Sequence, residues 1–373
     1  MNNILIFEDS SKSIFGGGQK VTMEVINCLS NNYNIFLFDG SISKSRFILK
    51  AKRKVLGTVR LIHVGNIVNK NIFSFSMGVS EIVLTPLLTI INFFIVISYI
   101  KKLRLNKINT VMYVTTKKGL LLAFLVNILM KIKYIYHAHN YDHKNSFFYR
   151  IIEIPLRNAY KIICVSNIVK KNINQQNCLT LYNPVDLPND KSPKNINGEE
   201  EVVVATFSSL IPLKGIDYFM RSFSFLRNKK KVKYEIYGLG CEYKKLKRLE
   251  NERIKLFGFT SNVYSLLKDK VDIIVFPSIS EEACPMILIE AFAFGIPIIA
   301  TNIGGQAEII RDKKVGLLVP IKNAKEIAKK IDYLIENPSF YRKYSLNALT
   351  YSENFSLMNF KIKIFDLFDS SFY

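Results

Sequence analysis

Short apolar runs bounded by turn residues alternate along this chain with longer stretches of helical period, and the alternation falls into two series. The first series is 4–7, 34–38, 59–64, 110–114, 133–137 and 161–165; the second is 201–207, 233–237, 254–257, 272–276, 297–301 and 316–319. Strands that alternate with helices build parallel sheets, because a parallel connection needs a crossover long enough to hold a helix. The pattern therefore predicts an α/β protein of two Rossmann-like, doubly wound domains. Residues 182–200 (YNPVDLPNDKSPKNINGEE) separate the series and are rich in Pro, Asn and charge, the composition of a linker. The expected organisation is a first domain over 1–181, the linker, a second domain over 201–354, and a helix over 355–373 that closes the chain. Open α/β sheets bind ligands outside the carboxyl ends of their strands, so two such domains predict a central cleft lined by loops that follow strands.

Composition supports two packed domains in 373 residues: 49% of the chain is hydrophobic and 22% charged, too apolar a balance for disorder. The 5 cysteines (Cys28, Cys164, Cys178, Cys241, Cys284) are scattered and nowhere spaced as CxxC, which indicates neither a disulfide framework nor a zinc site and points to a reducing cytoplasm. The formal net charge is +22, and residues 1–190 carry 24 basic against 9 acidic residues, leaving 28 and 21 for the rest. An excess concentrated in the first half suits an anionic partner; a genome biased toward Lys, Asn and Ile codons would produce the same excess. No nucleic-acid recognition motif accompanies the charge, so no nucleic-acid partner is expected.

The stretch 82–100 (IVLTPLLTIINFFIVISYI) holds nineteen uncharged residues and is followed at once by Lys101, Lys102, Arg104 and Lys107. Its length would allow a membrane span. Pro86, Thr85, Thr89, Asn92 and Ser98 within it suit a core helix or an interfacial helix whose basic fringe meets anionic head groups. The N-terminus, MNNILIFEDS, lacks a basic region before its apolar run and is expected to be a first strand rather than a signal peptide.

The densest chemistry lies in FPSISEEACPMILIEAFAFGIPIIATNIGGQAEII, beginning at Phe276. Pro285 suits the first turn of a helix, which places Glu282 in the loop at the helix mouth and Glu290 about 7–8 Å further along the axis. Such a pair can hold two hydroxylated groups of one extended ligand, with the negative charge between them meeting the free amides of the helix start that Pro285 opens, from Met286 onward. The competing reading for either glutamate alone is an ordinary ion pair or a solvated surface position. In FSSLIPLKG (207–215), Lys214 stands where a cation at the mouth of a Rossmann strand neutralises a diphosphate. FGGGQK (15–20) comes after the first strand, and its glycines let backbone amides approach a phosphate or an acceptor. Within YHAHNYDH stand His137, His139 and His143; with no further ligand set and no DxD motif beside them, no metal is expected.

Residues 277–308 resemble the E-x7-E signature of retaining glycosyltransferases of family 4, which have the GT-B fold: PS before the acidic loop, EA after the second glutamate, a G-x-P turn, and GG-x-x-E at Gly304, Gly305 and Glu308. The resemblance implies that Glu282 meets the donor sugar hydroxyls and Glu290 the ribose of the nucleotide. FSSLIPLKG is similar to the family's G-R-L-x-x-x-K-G, with Lys214 and Gly215 matching and Ser209 where Arg is usual. FGGGQK resembles the family's glycine loop, which implies contacts from Gly17, Gly18 and Gln19, and the strand-end histidine implies a role for His139 toward the donor sugar, with His137 as runner-up. Ser166 matches a strand end and is expected to be structural; Gly258 and Phe259 resemble the loop that contacts the base. Taken together, the resemblance implies an enzyme that transfers a sugar from a nucleotide-diphosphate sugar, with retention and without cofactor or metal, to an acceptor. The basic first half favours a lipid-linked saccharide of bacterial surface polysaccharide, handled on the cytoplasmic side by a peripheral membrane enzyme. A sugar-nucleotide epimerase and a non-catalytic nucleotide-sugar-binding protein are the alternatives.

Overall fold

In the computed structural model the described residues are 2–8, 16–39, 59–63, 79–140, 147–196 and 201–373. The chain divides into two compact units, one of Met1–Leu181 with Phe360–Tyr373 and the other of Tyr182–Asn359.

The strands of the first unit are β1 (Asn3–Glu8), β2 (Asn34–Asp39), β3 (Val59–His63), β4 (Thr110–Val114), β5 (Lys133–Ala138), β6 (Lys161–Cys164) and β7 (Cys178–Thr180). They pair in parallel in the order β3-β2-β1-β4-β5-β6-β7. The six expected runs are all present, and β7 is an addition: its three residues, CLT, are too short to give an apolar run. β1 is buried along its whole length, as a central strand covered on both faces must be. The final helix, Leu357–Ser371, brings Phe365 and Phe372 onto Tyr33 (ring centroids 5.9 and 5.5 Å) and Phe368 onto Tyr113 (5.8 Å).

The second unit holds β8 (Val202–Phe207), β9 (Val232–Tyr237), β10 (Ile254–Gly258), β11 (Ile273–Phe276), β12 (Ile298–Thr301) and β13 (Gly316–Val319), parallel in the order β10-β9-β8-β11-β12-β13. Both sheets thus wind outward from their first strand in the doubly wound manner. Residues 182–196 pack on this second unit: Val185 bridges to Ser356, Ile196 enters the core, and the Lys194 ammonium donates to the Val271 carbonyl at 2.6 Å.

The helix Val79–Lys102 contains the uncharged stretch, and its side chains are described from Ile90 onward. Val96, Ile97 and Ile100 are buried, whereas Ile90 and Phe94 are exposed, Phe94 by 65%. Among the described residues no helix is long and apolar enough to cross a membrane, and the side chains of residues 79–89 lie outside that description.

Candidate functional site

Because all six strands of the second sheet run the same way, the loops that follow them share one edge. That edge collects Ser209 after β8, Gly258 and Phe259 at the end of β10, and Glu282 with Pro285 after β11. Ser209 is exposed, Gly258 adopts φ +74°, and Phe259 is 67% exposed beside it.

The segment after β8 turns through a 3-10 turn at Pro212–Lys214 and leaves through Gly215 at φ +62°. A Cβ on Gly215 would stand 2.3 Å from the Pro277 carbonyl oxygen, so only glycine lets this loop lie against the acidic loop. The contact is stitched by the Leu213 carbonyl, which accepts from the Ile279 amide at 2.9 Å and from the Ser278 hydroxyl at 3.2 Å. This places the Lys214 ammonium in an ion pair with the Glu282 carboxylate, both side chains about three-quarters buried. Ser278 Oγ lies 3.3 Å from the same carboxylate oxygen.

The helix Met286–Ala293 starts one residue after Pro285, which occupies its N-cap position. Glu282 lies in the loop before it. Glu290 lies on the helix and is only 5% exposed, in a segment buried from Ile287 to Ala293. Burying a carboxylate is costly unless it is paired or hydrogen-bonded, so Glu290 stands out in an otherwise apolar helix.

Three participants escape the motifs of the sequence. Gln306, fully buried, binds the acidic loop through both ends of its amide. Tyr182 donates to the Glu308 carboxylate at 2.7 Å, and Asn183 donates to the Cys284 carbonyl at 3.2 Å, tying the start of the unit to the helix mouth. Burial pushes the Cys284 thiol up to about 12, so it is protonated at neutral pH. Gln306 stands inside the GG-x-x-E run, but nothing in its spacing says that it reaches back twenty-four residues.

In the first unit Gly17 and Gly18 open the helix Gly17–Leu29, and the Gly16 amide donates to the Gln19 side chain at 3.0 Å. His139 comes directly after β5, and a Cβ on Gly18 would touch its ring at 3.4 Å, so the glycine loop and the histidine are neighbours. The His137 ring lies against the His139 ring (centroids 4.1 Å) and its Nδ1 is 2.7 Å from the Tyr113 hydroxyl. Both ring nitrogens of His139 are buried without a hydrogen-bond partner among the described residues. Glu8, a buried carboxylate at the end of β1 that belongs to no motif, accepts from Thr115 at 2.9 Å and from Thr22 at 3.4 Å. Ser166 caps the helix Asn167–Ile173, accepting from the Val169 amide at 3.4 Å. His143 and Phe15 lie outside the described residues.

Burial lowers the His139 pKa to about 4 and holds His137 well below its usual value, so both are neutral at pH 7. A histidine whose folded pKa is depressed binds its proton more readily in the unfolded chain, so its contribution is complete above about pH 6.5 and is lost as pH falls toward 4. For His139 alone the loss between pH 7 and 5 is about 2 kcal/mol. Denaturant unfolding of wild type and His139→Phe at both pH values checks this: the substitution should remove that part of the pH dependence, and equal dependence in the two proteins contradicts it.

Residues 188–350 match the family described as "Glycosyl transferases group 1". An uncharacterised glycosyltransferase of Haemophilus influenzae is 30% identical over 178 residues, covering 46% of this chain and 50% of that protein. The N,N'-diacetylbacillosaminyl-diphospho-undecaprenol alpha-1,3-N-acetylgalactosaminyltransferase of Campylobacter jejuni is 26% identical over 262 residues, covering 67% of this chain and 65% of that one. The chain spans about half to two-thirds of the length of these curated relatives. Among solved structures, Anabaena HepE, determined with UDP and with UDP-glucose, superposes with a TM-score of 0.78 at 17% identity, covering 99% of this chain and all of the other. The fold is therefore that of the GT-B glycosyltransferases, two Rossmann-like units in one chain.

Proposed function

We propose that this chain is a retaining glycosyltransferase that moves a sugar from a nucleotide-diphosphate sugar to the hydroxyl of a lipid-linked saccharide, in the assembly of bacterial surface polysaccharide. The observation that carries the reading is the meeting of Lys214 and Glu282, from the loops after β8 and β11, at the mouth of the helix that buries Glu290. A family match over 188–350 covers this site, and the printed specificity of the Campylobacter relative supports the acceptor class.

In this reading Glu290 accepts from the ribose hydroxyls and Glu282 from the hexose. The Lys214 ammonium, already in place beside Glu282, faces the charge that develops as the bond from the anomeric carbon to the diphosphate oxygen breaks. Ser209, in the place of the family's arginine, offers the diphosphate a hydroxyl instead of a second cation. Glu282 is held by Lys214, which suits a carboxylate that positions a sugar hydroxyl rather than a free nucleophile. The acceptor oxygen then forms its bond to the anomeric carbon on the face the diphosphate leaves, and its proton passes to the departing diphosphate. Gly258 and Phe259 are assigned to the base, Pro285 and Met286 to the donor at the helix mouth, Gly17 and Gly18 to the ligand side of the first unit, and the neutral His139 to a sugar hydroxyl. No metal or cofactor enters this scheme.

A thermal-shift panel of UDP-, GDP- and ADP-sugars tests the reading. One base class should raise the melting temperature by several degrees at millimolar ligand, and transfer to a polyprenyl-diphosphate saccharide should occur with the same donor. A protein that responds to none of them contradicts it.

Attachment to the inner face of the plasma membrane is part of the same proposal, since exposed Ile90 and Phe94 share a helix with the basic run that begins at Lys101. Vesicles with about 30% anionic lipid should retain the protein at low salt and release it as salt rises, and Phe94→Glu should weaken retention several-fold. Equal recovery from neutral and anionic vesicles overturns that part.

A further inference from the structure

We propose that Gln306 is the positioning residue that aims Glu282 at the donor sugar, so that the sugar is read through an amide that never touches it; this rests on the donor site assigned to the second unit under the proposed function.

Both backbone polar groups of Glu282 are held by consecutive residues of the glycine-rich turn. The Glu282 amide donates to Gln306 Oε1 at 3.0 Å, and the Glu282 carbonyl accepts from the Gly305 amide at 2.6 Å. The other end of the Gln306 amide donates to the Ser280 carbonyl at 3.2 Å, and its nitrogen lies 3.5 Å from Thr301 Oγ1, which in turn donates to the Ser278 carbonyl at 2.6 Å. The acidic loop is thus clipped at residues 278, 280 and 282 by a fully buried side chain and its threonine neighbour. The glycine pair makes the approach possible. A Cβ on Gly304, itself at φ +57°, would stand 2.8 Å from the Glu282 amide nitrogen, and one on Gly305 would stand 2.0 Å from the Ala283 carbonyl oxygen.

The chemistry of the clip is specific to an amide. One end must accept from an N–H and the other donate to a carbonyl, two bonds a carboxamide makes at once. An ionised carboxylate keeps the first and faces the Ser280 carbonyl with a second acceptor; a leucine of similar size makes neither. With the clip in place, the backbone of Glu282, and with it the direction in which its side chain leaves, cannot shift without breaking a buried hydrogen bond, and a buried group left unpaired is costly; the ion pair with Lys214 holds the carboxylate at the far end. The carboxylate is therefore fixed beside Lys214 before any ligand arrives, the preorganisation that binding and catalysis both favour.

The test is calorimetric titration of wild type, Gln306→Leu, Gln306→Glu, Glu282→Gln and Gln306→Leu with Glu282→Gln, using UDP, GDP and ADP and their glucose and N-acetylhexosamine conjugates. The quantity read is the ratio of Kd for the free diphosphate to Kd for its sugar conjugate. Gln306→Leu should move that ratio about tenfold against the conjugate while leaving the free diphosphate within about twofold, and in the Glu282→Gln background it should add less than threefold. A purely structural role predicts equal weakening of diphosphate and conjugate, or full additivity, and either result overturns the proposal. Should the leucine variant fail to fold, Gln306→Glu must show the same shift in ratio at a melting temperature near that of wild type, and an unchanged ratio overturns the proposal. A wild-type protein that binds none of the nucleotides overturns the donor site itself and the role of Gln306 with it.

Discussion

Replacing Lys214 with methionine should lower kcat for sugar transfer by a factor of roughly 100 to 1000 with a much smaller change in KM for the donor, the range seen when one charge-stabilising donor is removed from a transition state. The reason lies in where the charge appears. In the ground state the ammonium is already paired with Glu282, so its contribution to holding the donor is small; as the diphosphate departs its negative charge grows and the cation beside it gains in worth. Lys214→Arg should recover part of the loss, since it keeps the charge but offers a planar fork where the site holds a point cation. Steady-state rates with donor varied at saturating acceptor give both constants. A kcat within threefold of wild type in Lys214→Met removes this residue from the chemistry.

The second large effect is expected at Glu290. A buried carboxylate that accepts from ribose hydroxyls contributes a charge-assisted hydrogen bond, about 1.5–3 kcal/mol, so Glu290→Gln should weaken nucleotide binding roughly 10- to 100-fold. The glutamine keeps the volume in a helix whose neighbours are all buried, which separates loss of the ligand contact from loss of packing better than alanine does. Free diphosphate and sugar conjugate should weaken together, because the ribose is common to both. That is the opposite signature from Glu282→Gln, which should weaken the conjugate more. Titration of both variants with the same pair of ligands distinguishes the two glutamates, and a Glu290→Gln variant that binds as wild type contradicts its assignment.

Much of this architecture is legible in the sequence because it rests on local patterns. The buried strands of a parallel sheet are continuous apolar runs, and twelve such runs mark twelve of the thirteen strands among the described residues. β7 is missed because its three residues, Cys178–Thr180, take their strand character from pairing with β6 and not from their own composition. Glu282 and Glu290 are legible because a proline announces the helix between them. The ion pair of Lys214 with Glu282 is not, since the partners stand 68 residues apart and meet only because Gly215 lets two loops touch. Gln306 is hidden for the same reason: its role lies in a tertiary approach that two glycines permit. The neutral state of His139 is likewise a product of burial, which one residue type in a short strand-end motif does not announce.

The central claim is that one nucleotide-diphosphate sugar is gripped at its ribose by Glu290 and at its hexose by Glu282. A crystal structure with the donor that the thermal-shift panel selects tests it most directly. The account predicts a Glu290 carboxylate oxygen within about 3 Å of a ribose hydroxyl and a Glu282 oxygen equally close to a hydroxyl of the sugar, with Lys214 still paired with Glu282 on the side of the diphosphate. A donor bound with its ribose and hexose away from these two carboxylates would contradict it.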